Sequence, residues 1–234
     1  KAIRRQRQMC IRDSIYIRKG GDSQLLNDLR DLCLRHRLRV QEVPVEKLNR
    51  LTRGNHQGAV AQIAAIGYVG LDDLLERVPD DETPLLVVFD GVTDVRNFGA
   101  IARSAECAGA HGLVTPLKNS APVNGEAIRA SAGALSNIPV CRVGSIRTTL
   151  LTLKGEGFQV VAATEKSRKL LYDADLRRPT AIVMGAEDKG ISREVLKLCD
   201  EQLAIPLVGK TESLNVSAAA AVMLFEVVRQ RIAE

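Results

Sequence analysis

Apolar and polar positions in the first quarter of the chain repeat with two different periods. Ser14–Arg18 (SIYIR) alternates apolar and polar residues, which predicts a strand, whereas Gln24–His36 gathers its apolar residues on one helical face. Further strands are predicted at Arg39–Val43 and Ala59–Ile66, with a short helix at Val45–Leu51 between them. This part of the chain therefore predicts a small α/β unit.

From Pro84 onward, short apolar runs alternate regularly with helical patterns. The predicted strands are Leu85–Phe89, Gly112–Val114, Val140–Val143, Gln159–Ala163, Ala181–Met184 and Gln202–Ile205. The predicted helices are Asn97–Gly109, Asn124–Ala134, Ser145–Lys154, Arg193–Cys199 and a long last one from Val216 to Ile232. Such alternation predicts an α/β domain with a mostly parallel sheet.

An acidic stretch, Val69–Glu82, lies between these two parts and carries Pro79, which predicts a connecting helix and linker. The expected organisation is an N-terminal domain at residues 1–68, a linker at 69–83 and a second domain at 84–234.

Composition and charge exclude several classes of protein and favour one kind of ligand. Hydrophobic residues make up 45% and charged residues 26%, which excludes a disordered, collagenous or coiled-coil chain. Aromatic residues are only 3%, which argues against a protein that reads rows of stacked bases. Residues 1–53 carry 14 Lys and Arg against 6 Asp and Glu, whereas the rest carries 19 against 22. The basic excess is therefore N-terminal, as expected for a module that binds a polyanion beside a near-neutral domain.

The cysteines and histidines indicate neither disulfides nor a metal site. Five cysteines are scattered without paired spacing, which favours a reducing compartment, and the three histidines are isolated from one another. The sequence has neither a signal-peptide apolar region nor a run of apolar residues long enough to cross a bilayer. We therefore expect a cytoplasmic protein that has no metal and does not bind a membrane.

Three segments, each following a predicted strand, carry polar residues that a packed core does not need. Asp90–Arg103 delivers Asn97 and Arg103, and each has a plain structural alternative: Asn97 as the N-cap of a helix, Arg103 as a surface residue. Ile182–Ile191 brings Gly185 and Glu187 after its strand, without the spacing of a dinucleotide or Walker loop.

The third segment, Ile205–Glu226, carries Ser213 and Asn215 before the last helix, where either could be the N-cap. Three polar loops after strands of one α/β domain predict a ligand cleft at the strand ends. The residues alone do not identify the ligand.

The three segments resemble, in order and spacing, the motifs of the SpoU/TrmH family of RNA ribose 2′-O-methyltransferases in the SPOUT superfamily. The likeness rests on DGVTDVRNFGAIARSA, IVMGAEDKGI and IPLVGKTESLNVSAAAAVMLFE, and it covers residues 84–234. Residues 13–66 look like the small RNA-binding domain, similar to a ribosomal-protein fold, that precedes the catalytic domain in many members. Within the family, the whole-chain likeness is to members that methylate a guanosine of 23S ribosomal RNA.

The resemblance implies a deep trefoil knot in the second domain, an S-adenosylmethionine site in the knot, and a homodimer that packs there. Matching positions imply cofactor contacts from Met184, Gly185, Ala186, Ile205, Leu207 and Leu214. They imply catalytic or supporting roles for Asn97, Arg103, Glu187, Ser213 and Asn215.

Arg103 is the family's suggested base, but a guanidinium stays protonated, so we expect it to bind the adjacent phosphate and orient the 2′-hydroxyl. Two alternatives remain open: the same reaction on transfer RNA, or an RNA-binding protein of this fold without turnover. Against transfer RNA, the basic excess lies in a separate module rather than in extensions of the knot domain. The complete set of five family residues argues against loss of turnover.

Overall fold

The computed structural model describes residues 14–20, 23–36, 38–52, 54–62 and 66–232. The described residues divide into two compact units, with the division between Gly67 and Tyr68. The expectation for the N-terminal basic run before Asp13 lies outside the described residues.

The smaller unit is a three-stranded sheet with two helices. Its elements are β1 (Ser14–Arg18), α1 (Gln24–Arg35), β2 (Arg39–Val43), α2 (Val45–Leu51) and β3 (Ala59–Gln62). β1 lies in the centre, parallel to β2 and antiparallel to β3. Ile17 of β1 and Leu48 of α2 are fully buried in this unit, and Leu26 and Cys33 of α1 are nearly so. β3 accounts for Ala59–Gln62 of the strand predicted at Ala59–Ile66; residues 63–65 lie outside the described residues, and Ile66 is not in a strand.

The larger unit is a seven-stranded sheet with helices between its strands. Its elements are β4 (Tyr68–Val69), α3 (Leu71–Leu75), β5 (Leu85–Asp90), α4 (Val95–Cys107), β6 (Gly112–Pro116), α5 (Gly125–Ala130), β7 (Val140–Val143), α6 (Ile146–Gly155), β8 (Gln159–Ala163), β9 (Thr180–Gly185), α7 (Arg193–Leu196), β10 (Glu201–Leu203) and α8 (Val216–Ile232). Short 3-10 turns lie at Ala134–Ser136 and Leu171–Asp173. Every strand pair is parallel, which confirms the predicted α/β class.

The strand order β10-β8-β9-β5-β6-β7-β4 places β5 and β9 side by side in the middle. All six residues of β9 and the first five of β5 are buried, as expected for central parallel strands covered on both faces. The chain leaves β5 toward β6 and β7, whereas β8, β9 and β10 lie on the other side. The carboxyl ends of β5 and β9 therefore form a topological switch point, where open α/β sheets bind ligands.

The stretch expected to be a linker is instead part of the larger sheet unit. Tyr68 and Val69 pair with β7, and Leu74 of α3 is fully buried. The acidic residues and Pro79 indicated an exposed connection, but only the tertiary fold supplies the strand edge that the short β4 joins.

Several helix ends also differ from the sequence prediction. α4 begins at Val95 with Asp94 as its N-cap, so Asn97 is not the cap. The expected helix Asn124–Ala134 is a shorter α5 followed by a 3-10 turn, and the expected helix Arg193–Cys199 ends at Leu196. Helix ends depend on local capping bonds, which the apolar pattern does not specify.

The last helix is fastened to the body of the larger unit by polar side chains near its end. Gln230 accepts a hydrogen bond from the Leu176 N–H (2.8 Å) and donates one to the Ala174 carbonyl (2.9 Å). Arg231 donates to further backbone carbonyls. α8 therefore returns across the unit and closes on segments that precede β5 and β9.

Asp200 and Glu226 of this unit have a pKa below the ordinary value for their type. For Asp200, burial raises the pKa, but hydrogen bonds from Lys154 and the Val160 N–H (2.8 Å), with the Lys154 charge, outweigh burial. For Glu226, hydrogen bonds from Arg229 are the main cause; burial opposes them and Gln230 adds to them. A lowered pKa gives stability that is present above the unfolded pKa, about 4, and is lost as pH falls through the folded value.

We expect the free energy of unfolding to decrease as pH falls below about 5, and Asp200→Asn to flatten part of this decrease. Asparagine keeps an oxygen for the Val160 N–H but loses the charge that titrates. Urea unfolding at pH values from neutral to acid measures the effect, with the exposed Asp173→Asn as matched control. If the free energy of unfolding of Asp200→Asn decreases toward acid pH as steeply as that of the wild type, Asp200 does not contribute to this decrease.

Candidate active site

Two of the three sequence motifs meet at the switch point of the large sheet. Asp90, the last residue of β5, is the register partner of Gly185, the last residue of β9. The loops that leave these strands therefore start side by side. Asp90 also accepts a hydrogen bond from the Ser192 N–H (2.7 Å), which fastens the far end of the second loop to β5.

The first loop fixes the position of Asn97. Gly91 has a φ of 84°, which an L side chain rarely adopts, and this turns the chain away from β5. Asp94 then accepts hydrogen bonds from the N–H groups of Arg96 and Asn97, both at 2.8 Å, and begins α4. Because Asp94 supplies the cap, the Asn97 side chain is free to bond elsewhere.

The second loop holds Glu187 at the tip of a tight turn. Ala186 and Gly190 exchange two backbone hydrogen bonds, at 3.1 and 2.8 Å, across the turn. A Cβ on Gly185 would lie 2.3 Å from the Gly190 carbonyl carbon, so only glycine allows the two ends of the turn to approach this closely. The turn therefore exposes Glu187 next to the end of β5.

The third motif joins the other two through Asn215. Its Oδ1 accepts from the Ser217 N–H (2.8 Å) and so caps α8, whereas its Nδ2 donates to Asn97 Oδ1 (3.0 Å) and to Glu187 Oε1 (2.8 Å). The Asn215 amide therefore links two residues that lie 118 and 28 positions before it in the chain. We call Asn97, Glu187 and Asn215 the polar cluster.

The polar cluster leaves a donor and an acceptor unused. Both N–H bonds of the Asn215 amide are occupied, but the Asn97 amide nitrogen and the second Glu187 oxygen bond to no residue that the structure describes. A hydroxyl both donates and accepts, so these two groups together suit an alcohol.

A separate pocket lies at the carboxyl ends of β8 and β10. It has a cavity volume of about 70 Å³ and is lined by Ala163, Thr164, Glu165, Leu203, Ile205, Leu207, Ser213, Leu214 and Ala219. Its walls are largely aliphatic, and hydroxyl and carboxylate groups contribute the polar part, as in pockets that bind small molecules.

The predicted cofactor residues fall in two places. Ile205, Leu207 and Leu214 line the pocket. Met184 and Gly185 are buried at the end of β9, and Ala186 begins the turn beside the polar cluster. Since Ala162 of β8 pairs with Val183 of β9, both places lie along the same sheet edge.

The predicted catalytic residues are not all brought together. Asn97, Glu187 and Asn215 form the polar cluster, and Ser213 lines the pocket instead. Arg103 lies on α4 six residues after Asn97, about 120° around the helix, and is exposed. Its side chain makes no hydrogen bond or ion pair with the residues the structure describes.

Sequence reasoning missed several residues of this region. Asp90 fixes the second loop to β5, and Thr164 and Glu165 line the pocket. Their position directly after predicted strands, as with the three motifs, was the available signal. Within the described ranges, no three His, Cys, Asp or Glu side chains are grouped as a metal site would need, and no helix has both the length and the apolarity to span a membrane.

Known protein families match both parts of the chain. Residues 84–225 match the SpoU rRNA Methylase family, and residues 1–69 match the domain described as RNA 2′-O ribose methyltransferase substrate binding.

Individual proteins show the same similarity. An uncharacterized tRNA/rRNA methyltransferase of Synechocystis is 42% identical over 82% of this chain, which spans only 50% of that relative. The 23S rRNA (guanosine-2′-O-)-methyltransferase of Vibrio parahaemolyticus is 37% identical over 93% of this chain and 89% of its own length. The crystal structure of the SpoU methyltransferase AviRb from Streptomyces viridochromogenes with AdoMet has a TM-score of 0.65 and 28% identity, covering 94% of this chain and 83% of that one.

Proposed function

The chain belongs to the SpoU rRNA Methylase family, and on that premise we propose that it transfers a methyl group from S-adenosylmethionine to a ribose 2′-hydroxyl of ribosomal RNA, at a guanosine of 23S rRNA. The observation that carries the proposal is the polar cluster, in which three distant segments present a donor and an acceptor suited to a hydroxyl. The name of the Vibrio relative supports the guanosine and the 23S rRNA.

The side chains that line the pocket at the ends of β8 and β10 suit the cofactor. Aliphatic side chains of Ile205, Leu207 and Leu214 suit the adenine ring, and the Glu165 carboxylate complements a positively charged sulfonium or ammonium group. Bound S-adenosylmethionine would supply a methyl group that is already activated on sulfur. The protein then has to hold the hydroxyl in line and accept its proton.

The polar cluster can perform both tasks. The free Asn97 amide can donate to the ribose oxygen, and the free Glu187 oxygen can accept the hydroxyl hydrogen. Asn215 keeps both groups in register through its two hydrogen bonds. Arg103 stays protonated and binds the phosphate next to the ribose, so its contribution is orientation.

The proposal extends to the rest of the chain. Residues 1–68 form the RNA-binding domain, supported by the substrate-binding match and by the basic excess of residues 1–53. The larger unit contains the knot and pairs with a second copy to form a homodimer, and the protein works in the cytoplasm, where a ribosomal RNA substrate would require it.

The proposal is tested by two measurements on the full chain. Calorimetric titration with S-adenosylmethionine should show saturable binding, and mapping of 2′-O-methyl groups on unmodified 23S rRNA and transfer RNA transcripts should find the product. Methylation of transfer RNA alone would replace the proposed substrate. Absence of cofactor binding would instead favour an RNA-binding protein without turnover.

We expect Arg103→Lys to lower methyl transfer by about tenfold, because lysine lacks the planar fork that grips a phosphate. The loss should appear in kcat/KM for RNA while calorimetry finds unchanged cofactor affinity. Arg147→Lys, on the exposed side of α6, is the matched control. Near-normal turnover of Arg103→Lys would overturn the phosphate role.

A further inference from the structure

A cleft extends from the polar cluster along the carboxyl ends of β5 and β9. Its inner cavity, of about 240 Å³, is lined by residues that include Asn97 and Glu187. Its outer cavity, of about 570 Å³, is lined by residues that include Asn119 after β6 and Ser192 after β9. The two cavities share the lining residues Gly91, Thr93, Ala186 and Asp188, so they adjoin. The cleft is large enough for a nucleoside whose ribose lies at the polar cluster.

The charges around the cleft do not suit a phosphate. Among the described residues that line it, Asp90, Asp94, Glu187 and Asp188 contribute carboxylates, against the single ammonium group of Lys189. Carboxylates repel phosphate and act only as hydrogen-bond acceptors. The occupant of the cleft must therefore be an uncharged group that is rich in donors.

Among the described carboxylates of the cleft, Asp188 is the one with both oxygens unused. Asp90 and Asp94 accept backbone N–H groups, and Glu187 accepts from Asn215. Asp188 accepts no hydrogen bond from any residue in the described part of the chain, and its nearest cation, Lys189 Nζ, is 4.0 Å away. Its two oxygens can therefore receive two donors from one ligand.

We infer that the cleft holds the base of the nucleotide to be methylated and that Asp188 makes the enzyme select guanine. Guanine presents two adjacent donors on its Watson–Crick edge, N1–H and the N2 amine, which match the two oxygens of one carboxylate. Adenine offers one donor on that edge, beside an acceptor that a carboxylate repels. Sequence-specific proteins read unstacked RNA bases on this edge.

Asn119 supplies the complementary group on the other wall. It lies in the outer cavity with a left-handed backbone (φ 56°), which asparagine tolerates better than most residues. Its amide can donate to guanine O6 while Asp188 accepts from N1 and N2. The inference rests on the proposed function, because it assigns the base of the same substrate whose ribose the polar cluster holds.

The test compares the methylation of three RNA transcripts that differ only at the mapped target: guanosine, inosine, which lacks the N2 amine, or adenosine. For the wild-type chain, kcat/KM should fall about tenfold for inosine and about a hundredfold for adenosine. Asp188→Asn should lower kcat/KM for guanosine and bring the guanosine-to-inosine ratio close to one. Asn119→Ala should reduce discrimination against adenosine less strongly.

Asp81→Asn, in the exposed turn before β5, is the matched control and should keep the wild-type ratios. If Asp188→Asn melts early, Asp188→Glu, which keeps the carboxylate, provides a second variant. Wild-type activity that is equal on all three transcripts, or a guanosine-to-inosine ratio unchanged in Asp188→Asn, overturns the inference alone. A wild-type chain that methylates no transcript overturns the proposed function and this inference with it.

Discussion

Replacing Asn215 with alanine should lower methyl transfer by at least about a hundredfold, since small displacements of reacting groups cost that much. The Asn215 amide is the only bridge between Asn97 and Glu187 among the described residues, with hydrogen bonds of 3.0 and 2.8 Å. Without it, the donor and the acceptor for the ribose hydroxyl are no longer held in register. Single-turnover methylation of the mapped RNA measures the loss.

The same substitution also removes the N-cap of α8, so stability must be separated from catalysis. Loss of a cap costs about 1 kcal/mol. Asn215→Asp keeps the oxygen that accepts the Ser217 N–H but has no amide donor and faces the Glu187 carboxylate. It should melt close to the wild type and still lose activity.

Asn124→Ala is the matched control for the cap. Asn124 caps α5 through the N–H groups of Glu126 and Ala127, both at 3.0 Å, and should lose stability but not turnover. If Asn215→Asp keeps the wild-type kcat, the hydrogen bonds from Asn215 to Asn97 and Glu187 are not needed for methyl transfer.

Arg231→Ala should reduce the free energy of unfolding by about 3 kcal/mol, the largest loss of stability that we expect from any single exposed or half-buried side chain here. The guanidinium donates to the carbonyls of Thr83 (2.6 Å), Pro84 (3.1 Å), Arg178 (3.0 Å) and Leu176 (3.4 Å). These carbonyls belong to two segments that are distant in sequence. Burial of the guanidinium lowers the Arg231 pKa. Alanine would leave the Thr83 and Leu176 carbonyls without a donor among the described residues, whereas Pro84 and Arg178 keep hydrogen bonds from Thr180.

Urea denaturation at neutral pH measures this effect. Arg231→Lys should recover part of the loss, because an ammonium group reaches fewer of the four carbonyls than the guanidinium. Arg147→Ala, which removes an exposed arginine of α6, should change stability by less than about 0.5 kcal/mol. If Arg231→Ala loses no more free energy of unfolding than this control, Arg231 does not fasten the end of α8 as described.

The sequence predicted the strands of the larger unit better than its helix ends. β7 and β8 have the predicted bounds because continuous apolar runs mark strands that are buried on both faces. The start of α4 and the end of α5 depend on local capping bonds, and β4 depends on a partner strand 72 residues away in the chain. No local pattern encodes those contacts.

The candidate site shows the same division. The motifs named Asn97, Glu187 and Asn215 as functional, but the N-cap alternative for Asn97 was wrong and that for Asn215 was correct, and Asn215 has a second role besides. Ser213 and Arg103 were grouped with these residues by resemblance, whereas the structure places Ser213 in the pocket and Arg103 on another face of α4. Motif order does not specify side-chain direction, which depends on helix phase.

By itself, the sequence determined the α/β class, the positions of the central strands, the uneven charge and the family. Each of these depends on the period or composition of contiguous residues, which folding preserves. Only the tertiary structure decided that β5 and β9 adjoin at the switch point, that one amide joins three motifs, and that a cleft leads from them past Asp188. These features arise between residues far apart in the chain, and only the packed sheet with its returning last helix brings them within hydrogen-bond distance.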